Sequence, residues 1–132
     1  MSKITNPYLA LLSLKVVNIQ ESEMFYDVLF ECLGPFEKKN DNNFLAYWGV
    51  IGLAISEQFD IVSNVEPDFR LGCYKYSVRV INKDDVLRIF KKLKKEKFPF
   101  SWEPRAFDYG PGYYSFCVFD PDYNQIEIFY VD

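Results

Sequence analysis

The sequence predicts an α+β fold in which one β-α-β-β-β module occurs twice within a single domain, residues 1–132. The length of 132 residues suits one domain with a substantial core. Apolar β-prone segments alternate with a helical spacing of apolar residues in both halves of the chain. The halves also correspond at one offset, because Leu11 lies 64 positions before Lys75 and Val16 lies 64 positions before Val80. Duplication of one module is the simplest explanation.

The first module begins with an apolar strand at residues 9–17, followed by a helix at residues 20–33. Asn18 is suited to the N-cap of this helix, and Gly34 is suited to the position that follows it. The other strands predicted in this module are residues 36–39, which are the weakest candidate, 44–48 and 50–56.

The second module repeats this order, with a strand at residues 74–80 and a helix at residues 83–96. Asp84 and Asp85 stand at the start of the helix and lysines near its end, as the helix dipole favours. Residues 98–112 are expected to be irregular. The last predicted strands are residues 113–119 and 125–131. The predicted module boundaries are residues 8–58 and 72–132, joined by a polar connector at residues 59–71.

Composition and charge exclude several classes of protein. The net charge is −4 and the pI is near 4.9, so we expect no nucleic-acid partner and no membrane partner. No apolar run approaches the roughly 18 residues of a membrane span, and the first residues lack the apolar core of a signal peptide, so we expect a cytoplasmic protein. Histidine is absent, which removes the commonest general base and transition-metal ligand. The cysteines Cys32, Cys73 and Cys117 lack C-x-x-C spacing and are expected to be buried thiols.

Two patterns at opposite ends of the chain carry a family resemblance. The early pattern comprises Leu14, Val16, Asn18, Ser22, Phe25 and Tyr26. The late pattern is Asp120-Pro121-Asp122-Tyr123-Asn124-Gln125-Ile126-Glu127-Ile128. Together they resemble the vicinal oxygen chelate superfamily of glyoxalases, extradiol dioxygenases and bleomycin-resistance proteins. The resemblance implies two β-α-β-β-β modules whose sheets wrap into a cup, usually in a homodimer, with the ligand or metal inside the cup.

The resemblance also indicates where a metal would be bound. In metal-dependent members, four side chains, typically His and Glu, reach the metal from equivalent positions of the two modules. Those positions fall at Leu11, Ala54, Lys75 and Glu127 of this chain. Only Glu127 can donate a lone pair, since a lysine ammonium has only hydrogen-bond donors. We therefore expect no metal and no cofactor.

Strand alternation gives an independent set of candidate ligand-binding residues, because successive side chains point to opposite faces of a sheet. The apolar set is expected beneath the helices and the polar set in a wet, charged cup. Trp102 joins the set because its aromatic segment could form a lid, although packing on the chain's own core or on a dimer mate remains an alternative. The candidates are Ser13, Lys15, Lys75, Ser77, Arg79, Trp102, Gln125, Glu127 and Phe129. Simple solvent exposure remains the alternative for Lys15 and Arg79, and a structural ion pair for Lys75 with Glu127.

Several functions follow from these residues. The leading interpretation is a metal-free protein that binds a small anionic or aromatic molecule as a homodimer, without turnover. The second is a metal-independent isomerase or lyase, in which Glu127 is the general base and Lys75 stabilises an oxyanion. An antibiotic-sequestering protein of the bleomycin type is the third, although the cationic cup disfavours bleomycin itself. A structural dimer with a filled cup is the fourth.

Overall fold

A computed structural model of the chain describes residues 11–41, 44–57 and 75–132. The first half consists of β1 (Leu11–Val16), α1 (Ile19–Leu33), β2 (Glu37–Asp41), β3 (Phe44–Trp48) and β4 (Gly52–Glu57). The second half consists of β5 (Lys75–Arg79), α2 (Lys83–Lys95), β6 (Phe100–Ala106), β7 (Tyr114–Phe119) and β8 (Gln125–Tyr130). The predicted connector at residues 59–71 and Cys73 lie outside the described residues, so the module boundaries stay a prediction.

Each half folds into a four-stranded mixed sheet. The strand orders are β1-β4-β3-β2 and β5-β8-β7-β6. In each sheet the first and last strands of the module pair in parallel, and the remaining pairs are antiparallel. Two helices and two such sheets confirm the predicted α+β fold and its repeated β-α-β-β-β order.

The strand register also repeats between the halves. In the first sheet, Ser13 pairs with Ala54, which pairs with Ala46. In the second sheet the same backbone positions are held by Ser77, Glu127 and Cys117. The two sheets therefore place different side chains on equivalent backbone sites.

One strand lies where the sequence predicted irregular structure. β6 occupies residues 100–106, inside the segment 98–112. Its pairing with β7 is interrupted twice by register shifts, and Pro104 lies within it. Because bulges break the period-2 alternation and proline is typical of edge strands, the sequence pattern does not resemble that of a regular strand.

The two hairpins differ mainly in their turns. In the first module Asp41 pairs with Phe44, so two residues join β2 to β3. In the second module Ala106 pairs with Tyr114, so seven residues, 107–113, join β6 to β7. The second module therefore carries a longer loop at this point of the repeat.

The helices cover one face of the sheets and form the core with it. Asn18 caps α1 as predicted, its side chain accepting a 3.0 Å hydrogen bond from the Glu21 backbone N–H. Among the six residues expected beneath the helices, Leu12, the second residue of β1, and Val80, which follows β5, are only partly buried. The four that are buried are Leu14, Val78, Ile126 and Ile128.

The halves meet through their helices. The Arg88 guanidinium of α2 donates a 3.2 Å hydrogen bond to the Cys32 carbonyl at the end of α1. The rings of Phe25 and Phe98 pack edge to face at 4.9 Å. The described core residues consequently form one cluster that spans both halves. No helix in the described ranges is long and apolar enough to cross a lipid bilayer.

Candidate functional site

The face of the second sheet opposite α2 carries most of the predicted site residues; we call it the helix-free face. Alternation places them there, since Val78, Ile126 and Ile128 of the same strands point into the core. The predicted residues on this face are Lys75, Ser77, Arg79, Gln125, Glu127, Phe129 and Trp102.

Glu127 lies at the centre of this face and is almost completely buried, with 3% of its surface exposed. Its Oε1 accepts a 2.7 Å hydrogen bond from the Ser77 hydroxyl, and its Oε2 accepts one of 2.8 Å from the Tyr113 hydroxyl. The Lys75 ammonium lies 3.8 Å from Oε1. Both carboxylate oxygens are therefore bonded within the protein, and a neighbouring cation compensates their charge.

A second cation, Arg105, lies near the same aromatic side chain as Lys75, that of Trp102. The Lys75 Nζ lies 5.2 Å from the Trp102 ring centroid. The Arg105 guanidinium lies 5.9 Å from the same centroid and 4.5 Å from that of Phe107. The Trp102 indole N–H donates to the Ser115 hydroxyl at 3.1 Å, which fixes the ring over the sheet. Two positive groups thus lie beside one anchored aromatic surface.

Five aromatic side chains in mutual contact on the helix-free face form what we call the aromatic cover: Trp102, Phe107, Tyr109, Tyr113 and Phe129. Phe107 and Tyr109 stack at 5.1 Å, and Tyr113 stacks on Phe129 at 5.3 Å. Trp102 meets Phe107 edge to face at 5.5 Å. Burial, together with the hydrogen bond to Glu127, raises the pKa of the Tyr113 hydroxyl above its ordinary value, so it remains a donor.

The cover corrects one expectation from the sequence. A wet, charged cup was predicted, and Lys75, Ser77 and Arg79 are exposed, but Ser115, Cys117 and Glu127 are buried. Trp102 and Tyr113 contact this buried set, through hydrogen bonds to Ser115 and to Glu127. The aromatic segment therefore packs on its own sheet, which was one of the two alternatives considered.

Cys117 is adjacent to Glu127 across β7 and β8 but is not a candidate nucleophile. Burial raises the pKa of its thiol to about 12, although the nearby Lys75 ammonium partly opposes this rise. The thiol lies 3.6 Å from the Gln125 side-chain oxygen. Gln125 therefore contacts Cys117, and its place on the helix-free face is consistent with the predicted alternation.

The remaining candidates are spread over two sheets. Ser13 and Lys15 lie on β1 in the first sheet, where the Lys15 ammonium donates a 2.8 Å hydrogen bond to the Ser56 hydroxyl. The Arg79 guanidinium donates a 3.1 Å hydrogen bond to the Val131 carbonyl near the sheet end. Neither cation is among the groups that contact Glu127.

Sequence reasoning did not single out the Tyr113 hydroxyl or the Arg105 guanidinium. Tyr113 was recognised only as part of an aromatic segment, because its contact with Glu127 depends on loop geometry. Arg105 is three residues from Trp102, and only the bulge between them brings both side chains to the same region.

Comparison with known proteins agrees with this architecture. The family model of the Glyoxalase/Bleomycin resistance protein/Dioxygenase superfamily matches residues 35–128. The chain belongs to this superfamily. None of the curated proteins searched matches the sequence.

Solved structures share the superfamily fold with this chain at low sequence identity. A glyoxalase-like protein of Bacillus halodurans is 23% identical, with a TM-score of 0.78 over 95% of this chain and 96% of that one. Lactoylglutathione lyase of Agrobacterium tumefaciens is 16% identical, with a TM-score of 0.70 over 96% of each chain. The bleomycin resistance determinant encoded on transposon Tn5 is 14% identical, with a TM-score of 0.68 over 96% and 99%.

The metal positions that the superfamily implies do not offer a suitable set of ligands here. Leu11 and Ala54 have no side-chain donor atoms, and Lys75 presents an ammonium to Glu127 at 3.8 Å. Both Glu127 oxygens already accept hydrogen bonds. Within the part of the chain that the structure describes, no three His, Cys, Asp or Glu side chains are grouped so that they could hold a metal ion.

Proposed function

We propose that this protein is a metal-free member of the superfamily that binds a small anionic or aromatic molecule in its cup, without turnover. The observation that carries the proposal is the pair formed by Lys75 and Glu127 at two of the superfamily's metal positions. The Lys75 ammonium lies 3.8 Å from the Glu127 carboxylate and balances the negative charge that a bound metal ion would otherwise balance. The site therefore retains an electropositive group without requiring a metal.

Binding is favoured over acid–base catalysis by the environment of Glu127. A general base needs an accessible lone pair within hydrogen-bond reach of the substrate proton. The Ser77 and Tyr113 hydroxyls occupy the two carboxylate oxygens, and the residue is only 3% exposed. The Lys75 side chain, by contrast, is 40% exposed and lies beside Trp102. A ligand anion can reach the ammonium, while the carboxylate stays internal.

The charges of this face favour an anion over a cation. Its strands carry the cations Lys75, Arg79 and Arg105 as well as the carboxylate of Glu127. A charge-assisted hydrogen bond from an ammonium to a ligand carboxylate contributes roughly 1.5–3 kcal/mol. A cationic antibiotic of the bleomycin type would instead meet like charges.

The experiment compares benzoate with benzylamine in thermal-shift and calorimetric titrations. Benzoate should bind, and Lys75→Met should weaken it by about one to two orders of magnitude. Lys83→Met is the matched control, because Lys83 also lies over an aromatic ring, that of Tyr114 at 4.6 Å, but away from Glu127. A preference for benzylamine that Lys75→Met strengthens would overturn the proposal.

Glu127→Gln separates binding from catalysis. In a binding protein the substitution removes a negative charge, so benzoate affinity should be unchanged or higher. In an isomerase or lyase that uses Glu127 as its base, turnover should be lost while affinity survives. We expect the unmodified protein and the Glu127→Gln variant both to bind benzoate, and neither to show turnover.

We also propose that the protein is a homodimer, as the superfamily resemblance implies. Multi-angle light scattering at micromolar concentration should give twice the chain mass of 15.6 kDa. A mass of one chain under these conditions would contradict the proposal without affecting the ligand-binding test.

A further inference from the structure

An open groove of about 750 Å³, which we call the edge groove, runs along the outer edge of β6. Because β6 is last in the strand order β5-β8-β7-β6, no strand of the described ranges pairs with this edge. The end of α2 contributes Lys94 to the groove, and Lys97 lies just beyond the helix. Neither Lys75 nor Glu127, the pair of the proposed ligand site, lines it.

The backbone of β6 presents hydrogen-bonding groups to the edge groove. The Pro99 carbonyl accepts a 2.9 Å hydrogen bond from the Phe119 N–H, so this carbonyl points towards β7. Successive residues of an extended strand direct their N–H and C=O groups to opposite sides, and those of Phe100 therefore point away from β7, into the groove. A strand edge of this kind is a template for an added extended segment.

The side chains around this edge are mainly cationic. Lys94, Lys97 and Arg105 line the groove together with the carboxylate of Glu103. Lys94 and Glu103 lie 3.6 Å apart, but their side chains are 61% and 63% exposed, so this ion pair is weak and can be exchanged for another. The described residues of the groove thus carry an excess of positive charge, although the net charge of the chain is −4.

The corresponding edge of the first sheet, formed by β2, lacks this excess. The last turn of α1 has no basic residue, whereas the last turn of α2 has three lysines. On β2 itself, the Lys38 ammonium is paired with Glu23 at 2.9 Å and with Asp27 at 3.1 Å. The positive edge is therefore a property of the second module and not of the repeated fold.

Lys97 has a backbone conformation that favours glycine. Its φ of +65° lies in the left-handed region, and its N–H donates a 2.9 Å hydrogen bond to the Lys94 carbonyl at the end of α2. Helices commonly place glycine at this position, because a side chain there strains the backbone. Residues held in such conformations are concentrated at functional sites. A lysine in this place indicates a role for its charge in the groove.

We propose that the edge groove binds a short acidic peptide segment, which adds to β6 as an extended strand and directs alternate carboxylates to Lys94 and Lys97. Alternate side chains of an added strand point to the same face of the sheet, and α2 covers one of the two faces. Pro104 has no N–H and bulges interrupt β6, so only a short segment can pair. This restriction favours a peptide over edge-to-edge pairing with a second copy of the chain.

The test uses a fluorescein-labelled heptapeptide in which glutamates alternate with valines, in fluorescence-anisotropy titrations at low salt. The double variant Lys94→Glu/Lys97→Glu should weaken binding by about tenfold or more, because repulsion replaces two exposed ion pairs. Lys39→Glu is the matched control, since Lys39 is exposed on β2, the corresponding edge of the first sheet. It should change the affinity by less than about twofold.

Lys97→Gly separates a role in binding from a role in folding. Relief of the left-handed strain should keep or raise the melting temperature, while the peptide affinity falls by about two- to fivefold. Tyr123→Gly is the control, because Tyr123 is also exposed and has a φ of +63°, but it lies in the turn before β8. It should keep or raise the melting temperature and leave the affinity unchanged.

Two further probes check the mode of binding. The same peptide with its inner amides N-methylated keeps the charge but cannot donate hydrogen bonds to a strand edge, and it should bind at least about tenfold more weakly. An oligothymidylate of ten nucleotides carries negative charge without a peptide backbone, and it should not compete with the peptide.

Several outcomes would overturn the inference. Equal binding of the N-methylated peptide, or competition by the oligonucleotide, would show that charge alone attracts anions to this surface. An unchanged affinity in Lys97→Gly and in the double variant, or no binding of the peptide to the unmodified protein, would remove the groove as the site. The small-molecule proposal is tested separately, by benzoate and Lys75→Met, and does not depend on these results.

Discussion

The hydroxyl of Tyr26 donates a 2.6 Å hydrogen bond to the carboxylate of Asp120, joining the first helix to the turn before the last strand. The two residues belong to the two sequence patterns that carry the family resemblance. Asp120 also accepts hydrogen bonds from the backbone N–H groups of Asp122 and Asn124 and from the Asn124 side chain. One buried carboxylate therefore organises its own turn and ties it to the other half of the molecule.

The Tyr26–Asp120 contact predicts a stability effect that depends on pH. Burial raises the pKa of Asp120 above its ordinary value, and the Tyr26 hydrogen bond opposes part of the rise. The stability contributed by this group is therefore complete at low pH and is lost as the pH rises through the folded-state pKa. Tyr26→Phe removes a donor that stabilises the ionised form. Its destabilisation should be about 0.5–1.5 kcal/mol near pH 4 and about 1.5–3 kcal/mol near pH 8, measured by urea unfolding.

Tyr47→Phe provides the control for this measurement. The Tyr47 hydroxyl also donates a 2.6 Å hydrogen bond to a carboxylate, that of Asp27. The Asp27 side chain, however, is 37% exposed. Removal of the Tyr47 hydroxyl should cost about 1 kcal/mol near pH 8, which calibrates the loss of a tyrosine–carboxylate hydrogen bond away from Asp120. Equal destabilisation by Tyr26→Phe at pH 4 and pH 8 would contradict the assignment of Asp120 as the titrating partner.

The second prediction concerns the stability cost of replacing Gly112, which lies in the loop 107–113. Its φ of +67° lies in the left-handed region, and an added Cβ would meet the Asp132 side chain at less than contact distance. Gly112→Ala should lower the free energy of unfolding by about 1 kcal/mol through backbone strain, because the exposed Asp132 side chain can move aside. Gly34→Ala should cost more although its surroundings are open, because φ of 123° with ψ of −166° is a combination essentially restricted to glycine. A larger drop in melting temperature for Gly112→Ala than for Gly34→Ala would contradict this order.

Metal removal is the third test. Because Leu11, Ala54 and Lys75 replace ligands, protein purified without a metal-affinity column should carry no stoichiometric zinc, nickel, manganese or iron. Excess EDTA should leave its melting temperature unchanged, whereas a metal-dependent glyoxalase treated in parallel should be destabilised. One tightly bound metal ion per chain by elemental analysis would refute the interpretation of these positions.

The fourth prediction concerns the reactivity of the buried thiols. With a pKa raised to about 12 by burial, Cys117 has a thiolate fraction of about one part in ten thousand at pH 8. Burial also raises the pKa of Cys32. Mass mapping after brief iodoacetamide treatment should find both unmodified in native protein and both alkylated in guanidinium chloride. Rapid alkylation of Cys117 in the native state would reveal an opening of the aromatic cover.

The fold and one central contact could be predicted from the sequence. The apolar periodicities and the constant offset gave both sheets, and strand alternation with the resemblance brought Lys75 and Glu127 together. These predictions succeeded because they depend on local spacing, which a repeated module copies from one half to the other. β6 was missed since Pro104 and its bulges disrupt the alternation that marks a strand.

The burial of Glu127 in the second half could not be predicted from spacing. It depends on where the loop 107–113 returns over the sheet, which is a matter of tertiary packing. Alternation correctly assigned Glu127 to the helix-free face, but it cannot tell whether a neighbouring ring covers that face. For the same reason, the sequence did not indicate that the Tyr113 hydroxyl and the Arg105 guanidinium belong to the site.

Every strand pairing described in the structure lies within one half of the chain, including the parallel pairs β1–β4 and β5–β8. The first contact of β1, between Leu11 and Gly52, closes a segment of about 40 residues. Neither sheet needs a strand from the other to complete its ladder. The two halves should therefore behave as separate foldons. Docking of their helices, stabilised by the hydrogen bond from Tyr26 to Asp120, should be the late event that makes unfolding cooperative.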